Sequence, residues 1–379
     1  MERADVVVVG GGLIGSAIAW RLQQAGRRVI LFERGEPGAE ASSAAVGLLL
    51  PEAGREGGPD LLALWQESLD RYPAFIGELR ETTGVAVEFR QTGSLALALN
   101  AAESDVLSRR FRAQVAVKIP AELLSGDDAR AIEPALGRDV QSALHFPRHG
   151  LVDNQRLSKV VPTAAAKAGV QVRAHEPVLG ISVRSGRVEG VETYRGRIAA
   201  EVVVNAAGSW ASLGVPIQDF ASGSLAKAKG DVPLVRPTKG EVIVLWTQTR
   251  PIERLITVSG ASIVARSDGR VIVGGTLIDN SFDRAVTVGG VASLISAAVG
   301  AIPELTRARF ADAWIGLRPR SRDDGPIIGS GGISGLFWAT GHFKTGILST
   351  VATADIVTAM IEGKPHLPVD SLSPRRFGV

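Results

Sequence analysis

An α/β fold of about two domains is what this chain predicts, and three features predict it. A continuous β-branched run, Val6 to Val9, meets a glycine-rich turn and then a helix-period pattern before a second apolar run, Val29 to Phe32. Helical and strand patterns continue to alternate along the rest of the chain. The chain has 379 residues, 45% of them hydrophobic, which exceeds what one simple core holds.

The first unit is the most informative. Val6 to Val9 has the unbroken apolar character of a strand buried on both faces. Gly10, Gly12 and Gly15 follow as G-x-G-x-x-G, and Ile14, Ile18 and Leu22 recur at the spacing of one helix face. Gly26 suits the C-terminal end of that helix. Glycines let a backbone approach a pyrophosphate, and a helix N-terminus offers free N–H groups and the positive end of its dipole. Glu33 closes the second strand 18 residues after Gly15, where a carboxylate can accept from ribose hydroxyls. The candidate dinucleotide contacts here are Gly10, Gly12, Leu13, Ile14, Gly15, Glu33 and Arg34. A domain for NAD would continue into another helix and strand. This chain enters the small-residue loop Gly38 to Pro51 instead, with Ala41, Ser42, Ser43, Val46, Gly47 and Leu48 as candidates. Ser42 and Ser43 can reach a phosphate, and such a loop lets the isoalloxazine end of a longer FAD molecule pass into the protein.

Composition narrows the function. Net charge is +3, and no run of five or six basic residues supports nucleic-acid binding. The chain has no cysteine, which excludes disulfides, thiolate catalysis, cysteine-ligated zinc and a cysteinyl-linked cofactor. Its five histidines do not cluster at metal-ligand spacing, so no metal is expected. No signal peptide and no apolar stretch of membrane-spanning length is read, so a cytoplasmic protein is expected. A homo-oligomer is allowed by the sequence.

Six segments carry a resemblance: VVVVGGGLIGSAIAW, ASSAAVGLLLP, VVVNAAGSWAS, IVARSDGRVIVGGT, WIGLRPRSRDDGPIIG and ATGHFKTGIL. In this order they resemble the D-amino-acid oxidase superfamily of flavoproteins and, within it, the glycine oxidase branch. The resemblance runs from Asp5 to about Gly363. It implies a Rossmann-like FAD domain of the glutathione-reductase type, with a second domain of mixed or antiparallel sheet over the flavin. The expected division is discontinuous: 1–80, 145–222 and 312–379 for FAD, with 81–144 and 223–311 for substrate. The family's layout also puts Val178 on the strand passing the adenine, through its backbone, and Ala207, Gly208 and Trp210 of NAAGSW beside the cofactor.

For chemistry, the resemblance implies a hydride leaving the carbon next to an amine for flavin N5. The protein then needs a carboxylate clamp and a positive field, with no acid or base assigned. Arg318 matches the family's carboxylate-binding arginine, whose planar fork grips a carboxylate bidentately. Gly316 lets backbone lie near the flavin. His342, Phe343, Lys344, Thr345, Gly346 and Ile347 form a cofactor-edge loop, with Gly346 starting the helical run Ile347, Val351, Ala354 and Val357.

Two positions depart from the glycine oxidase pattern. Lys344 stands where those enzymes carry arginine, and Ser262 where they carry a carboxylate-bonding tyrosine. Both changes point toward an N-substituted glycine or another small amino acid rather than glycine itself. The expected cofactor is non-covalent FAD, and the expected partners are an amine or amino-acid substrate and O₂. Imine hydrolysis and release of hydrogen peroxide would complete the reaction. A dehydrogenase passing electrons to a quinone or partner stays open, as does a flavin-binding subunit of a hetero-oligomer. The segment 221–236 reads either as a lid or as an inert insertion.

Overall fold

The computed structural model describes residues 2–53, 58–212, 216–219, 224–225, 234–279 and 281–378. Most of the segment 221–236, and with it the lid expectation, lies outside the described residues. The helices are α1 (Leu13–Gln24), α2 (Ala41–Ala44), α3 (Gly58–Thr83), α4 (Ala101–Ala116), α5 (Gly126–Ile132), α6 (Asn154–Lys167), α7 (Val288–Ala301) and α8 (Gly346–Ile361). No helix among the described residues is long and apolar enough to cross a membrane.

The first sheet has a parallel centre. Glu2–Val9 pairs in parallel with both Val29–Phe32 and Gly196–Asn205. Gln171–Arg173 extends the sheet on one side and Leu336–Thr340 on the other, again in parallel. Parallel neighbours need crossovers, and α1 supplies the first right after the glycine turn. Alternate side chains of Val6 to Val9 enter two different cores: Val6 and Val8 pack with α1, α3, α6 and α8, and Val7 and Val9 with the antiparallel strands Val178–Arg184 and Arg187–Thr193. Burial on both faces is the physical reason for the unbroken valine run.

The second sheet is mixed, as expected. Its order runs Ile278–Asp279, Val235–Trp246, Arg270–Gly274, Ala261–Ala265, Leu255–Val258, Ser94–Ala98, Ser142–Phe146, Glu122–Ser125. Arg309–Ser321 pairs antiparallel along the whole of Val235–Trp246. Leu255–Val258 pairs in parallel with Ser94–Ala98, and the other pairings are antiparallel. One face packs with residues of α5 and α7 in its own core. The boundaries expected near 145 and 312 fall inside Ser142–Phe146 and Arg309–Ser321, both strands of this sheet.

Candidate active site

A cavity of about 780 Å³ opens between the C-terminal ends of the parallel strands and the free face of the second sheet. Every site residue named from the sequence lines it, with the exception of Ser43. Ser43 Oγ instead donates to the carbonyls of Ala39 (2.9 Å) and Glu40 (3.1 Å). α2 turns Ala41, Ser42 and Ala44 toward the cavity and Ser43 away from it. Ser42 Oγ accepts from the Leu13 N–H at 3.0 Å.

The glycine turn is closely packed. Gly10 has φ +105°, and a Cβ there would meet the Ala206 carbonyl oxygen at 2.5 Å. A Cβ on Gly15 would lie 2.0 Å from the Gly10 carbonyl oxygen. These two glycines hold the helix against the strands, whereas Gly12 opens outward with nothing nearer than Ser42 Oγ at 3.5 Å. Gly12 also caps α1 without a side chain, leaving the first turn directed at the cavity. Glu33 holds the turn from the side: its carboxylate accepts from Gly11 N–H (2.8 Å) and Gly35 N–H (2.9 Å). Arg34 places its guanidinium carbon 3.5 Å from the centroid of the Trp210 ring.

At the other end of the cavity, Gly341 (φ +72°) and Phe343 (φ +46°) both adopt left-handed backbone. Such strain in a non-glycine residue persists only where the surroundings impose it. It delivers the N-terminus of α8 to the cavity. Thr345 caps that helix without a side-chain hydrogen bond, and a Cβ on Gly346 would meet nothing nearer than His342 Cβ at 3.7 Å. Burial pushes the His342 imidazole down to about 3, so the ring is neutral. His342 Nε2 shares a hydrogen bond with Thr353 Oγ1 (3.1 Å), and Nδ1 is buried without a partner among the described residues.

Arg318 rises from the strand Arg309–Ser321 and crosses to its antiparallel partner. Its Nη1 donates to the Thr276 carbonyl at 3.0 Å. No carboxylate among the described residues pairs with it. Burial lowers its pKa to about 10, which still leaves the guanidinium charged at neutral pH. The nearby arginines behave differently: Arg320 is paired with Asp324 and Asp279, and Asp323 pairs with Arg376. Lys344 lines the cavity yet is exposed, with its ammonium 5.1 Å from the Phe343 ring centroid. Ser262 lies on the sheet floor, opposite Gly274 on one side and Thr257 on the other.

Sequence reasoning missed several contributors. Gly240 lies beneath Arg318, and the cavity wall also takes Thr257, Leu277 and the α4 residues Val106, Leu107 and Arg110. Arg266 is fully buried, donates to the Val46 carbonyl (2.7 Å) and reaches Asn154 Oδ1 (3.3 Å). Asn154 in turn donates to the carbonyls of Ser42 and Ser43. Together they anchor the loop 42–47 to the second sheet. The arginine in the hairpin motif was the local signal for Arg266; the others carried none.

The glycine cradle, two helix N-termini whose own N-cap residues provide no side-chain cap, and the orphaned His342 Nδ1 fit an extended dinucleotide with a polar ring system. That class is borne out: a family model described as "FAD dependent oxidoreductase" (DAO) matches residues 5–360. The chain belongs to this family and is an FAD-dependent oxidoreductase. It is 33% identical over 367 residues to the glycine oxidase of Geobacillus kaustophilus (strain HTA426), covering 96% of this chain and 94% of that protein. The crystal structure of glycine oxidase from Geobacillus kaustophilus superposes with a TM-score of 0.89 at 31% identity, covering 98% of each chain. The iminodiacetate oxidase from Chelativorans sp. BNC1 superposes at 0.83 with 27% identity, covering 97% of this chain and 98% of that one.

Proposed function

We propose that the protein oxidises the amine of a small amino acid or N-substituted glycine, with the substrate carboxylate held by Arg318. The observation that carries this reading is a half-buried, charged guanidinium lining the cavity whose one protein partner among the described residues is the Thr276 carbonyl. A buried charge without a counter-ion is costly unless a ligand supplies one. FAD, when bound, would supply a two-electron acceptor for the carbon next to the amine, with O₂ as the final oxidant giving hydrogen peroxide and water hydrolysing the imine product.

The protein's own groups do the positioning. Gly10, Gly12 and the first turn of α1 would hold the pyrophosphate, with Glu33 at the ribose. Gly346 and the first turn of α8 would hold the pyrimidine edge of the ring. The α8 dipole favours negative charge there by about 0.3–1 kcal/mol. Arg318 fixes one end of the substrate, so that the carbon next to the amine has a defined position. The related glycine oxidases and iminodiacetate oxidase act on amines that carry carboxylates, by their names, and this supports the same class here.

Turnover under air tests the reading. Glycine, sarcosine, D-alanine, D-proline and bulkier N-carboxymethyl amines are supplied in turn, and peroxide is measured with and without catalase. Peroxide formed in proportion to amine consumed is the expected result. Amine oxidation that needs an added quinone and yields no peroxide would favour the dehydrogenase reading.

A further inference from the structure

We infer that the cavity has a second, apolar arm beyond Ser262, and that it takes the substituent of a substrate considerably longer than sarcosine. This rests on the carboxylate–Arg318 reading above. The arm follows the register of the second sheet. Ser262 is paired with Thr257, and Thr257 with Ala96 of the next strand. All three line the same cavity. Two strand spacings carry the arm roughly 10 Å past Ser262. It ends against α4, where Leu107 is buried and Val106 remains 49% exposed at the mouth.

The chemistry of this arm is apolar. Leu50 flanks it, and the charged groups along it are already engaged. Arg110 donates to Glu52 at 2.7 Å and stands 5.6 Å from the Phe146 ring centroid. Glu103 accepts from the Leu99 N–H at 2.7 Å. An exposed valine at a cavity mouth, with satisfied charges beside it, favours contact with a hydrocarbon group over contact with water. The small side chain of Ser262 leaves the passage between the Arg318 end and this arm open. A substrate with its carboxylate on Arg318 and an unbranched or aromatic substituent of about six to eight atoms on nitrogen fits both ends.

The test is anaerobic bleaching of the bound flavin by glycine, sarcosine, N-butylglycine and N-hexylglycine. Each buried methylene is worth roughly two- to fourfold. We expect kcat/KM to rise at least tenfold from sarcosine to N-hexylglycine. Val106→Glu, on a half-exposed helix position, lowers the N-hexylglycine to sarcosine ratio at least fivefold. Hexanoate, which cannot be oxidised at an amine, binds more tightly than acetate when followed by perturbation of the visible flavin spectrum. Bleaching by glycine and sarcosine without gain along the series overturns the arm and leaves the oxidase reading standing. No bleaching by any amine, with hexanoate and acetate equally weak, overturns both.

Discussion

Arg318 lies flat across Gly240: a Cβ built on that glycine would fall 2.0 Å from Nη1 and 2.3 Å from the guanidinium carbon. Gly240 faces Gly316 across the antiparallel pair, two residues before Arg318. The guanidinium therefore rests over backbone, aimed at the Thr276 carbonyl. Gly240→Ala forces it off this surface. Misplacing a positioning group by about 1 Å costs on the order of a hundredfold in rate. We expect kcat/KM to fall by that order, with FAD still bound. A variant with wild-type kinetics would show that Arg318 does not act from this position.

Lys344 gives a second test. It is exposed at the cavity wall and held near the Phe343 ring. Lysine offers a point charge, whereas arginine offers a fork that can reach a carboxylate bidentately. Lys344→Arg is expected to change the glycine to N-butylglycine ratio of kcat/KM at least threefold. An unchanged ratio would return Lys344 to a solvent role.

The buried imidazole of His342 makes stability depend on pH. Its folded pKa is pushed down to about 3, against an ordinary value near 6.5. Between these values the unfolded chain binds the proton and the folded one does not. Stability is therefore full above about pH 6.5 and falls as pH drops through that window. The loss from this group between pH 6.5 and 5 is about 2 kcal/mol. Urea denaturation of wild type and His342→Gln at pH 7.5 and 5 checks it. The variant should lose less stability on acidification; equal losses would place the His342 proton affinity at its ordinary value.

How much of this was legible depended on the range of the interaction. The glycine turn, α1 and α8 are local, with their signals inside twenty residues, and each stands where its pattern puts it. Ser43 stands off the cavity wall, which the sequence could not show because α2 has only four residues, too few for a periodic pattern to fix which side chain faces in. Gly240 carried no local signal. Its role arises from a pairing with Gly316, 76 residues away in sequence. The contribution of α4 to the cavity was equally hidden, since helix patterning reports which face is buried and not what it is buried against. Arg266 was visible in the hairpin motif, but its hold on Val46 spans 220 residues.

The central claim is that Arg318 binds the carboxylate of the amine that reduces the flavin. The direct measurement is the anaerobic bleaching of bound FAD by an amine bearing a carboxylate, in wild type and in Arg318→Met. Losing one partner of a buried charged pair costs about 2–4 kcal/mol, or roughly 30- to 1,000-fold in kcat/KM. Bleaching in the wild type and a loss within that range in the variant, with the oxidised flavin spectrum retained, is the expected result. Equal bleaching of both proteins, or stronger bleaching by the same amine with its carboxylate amidated, would contradict it.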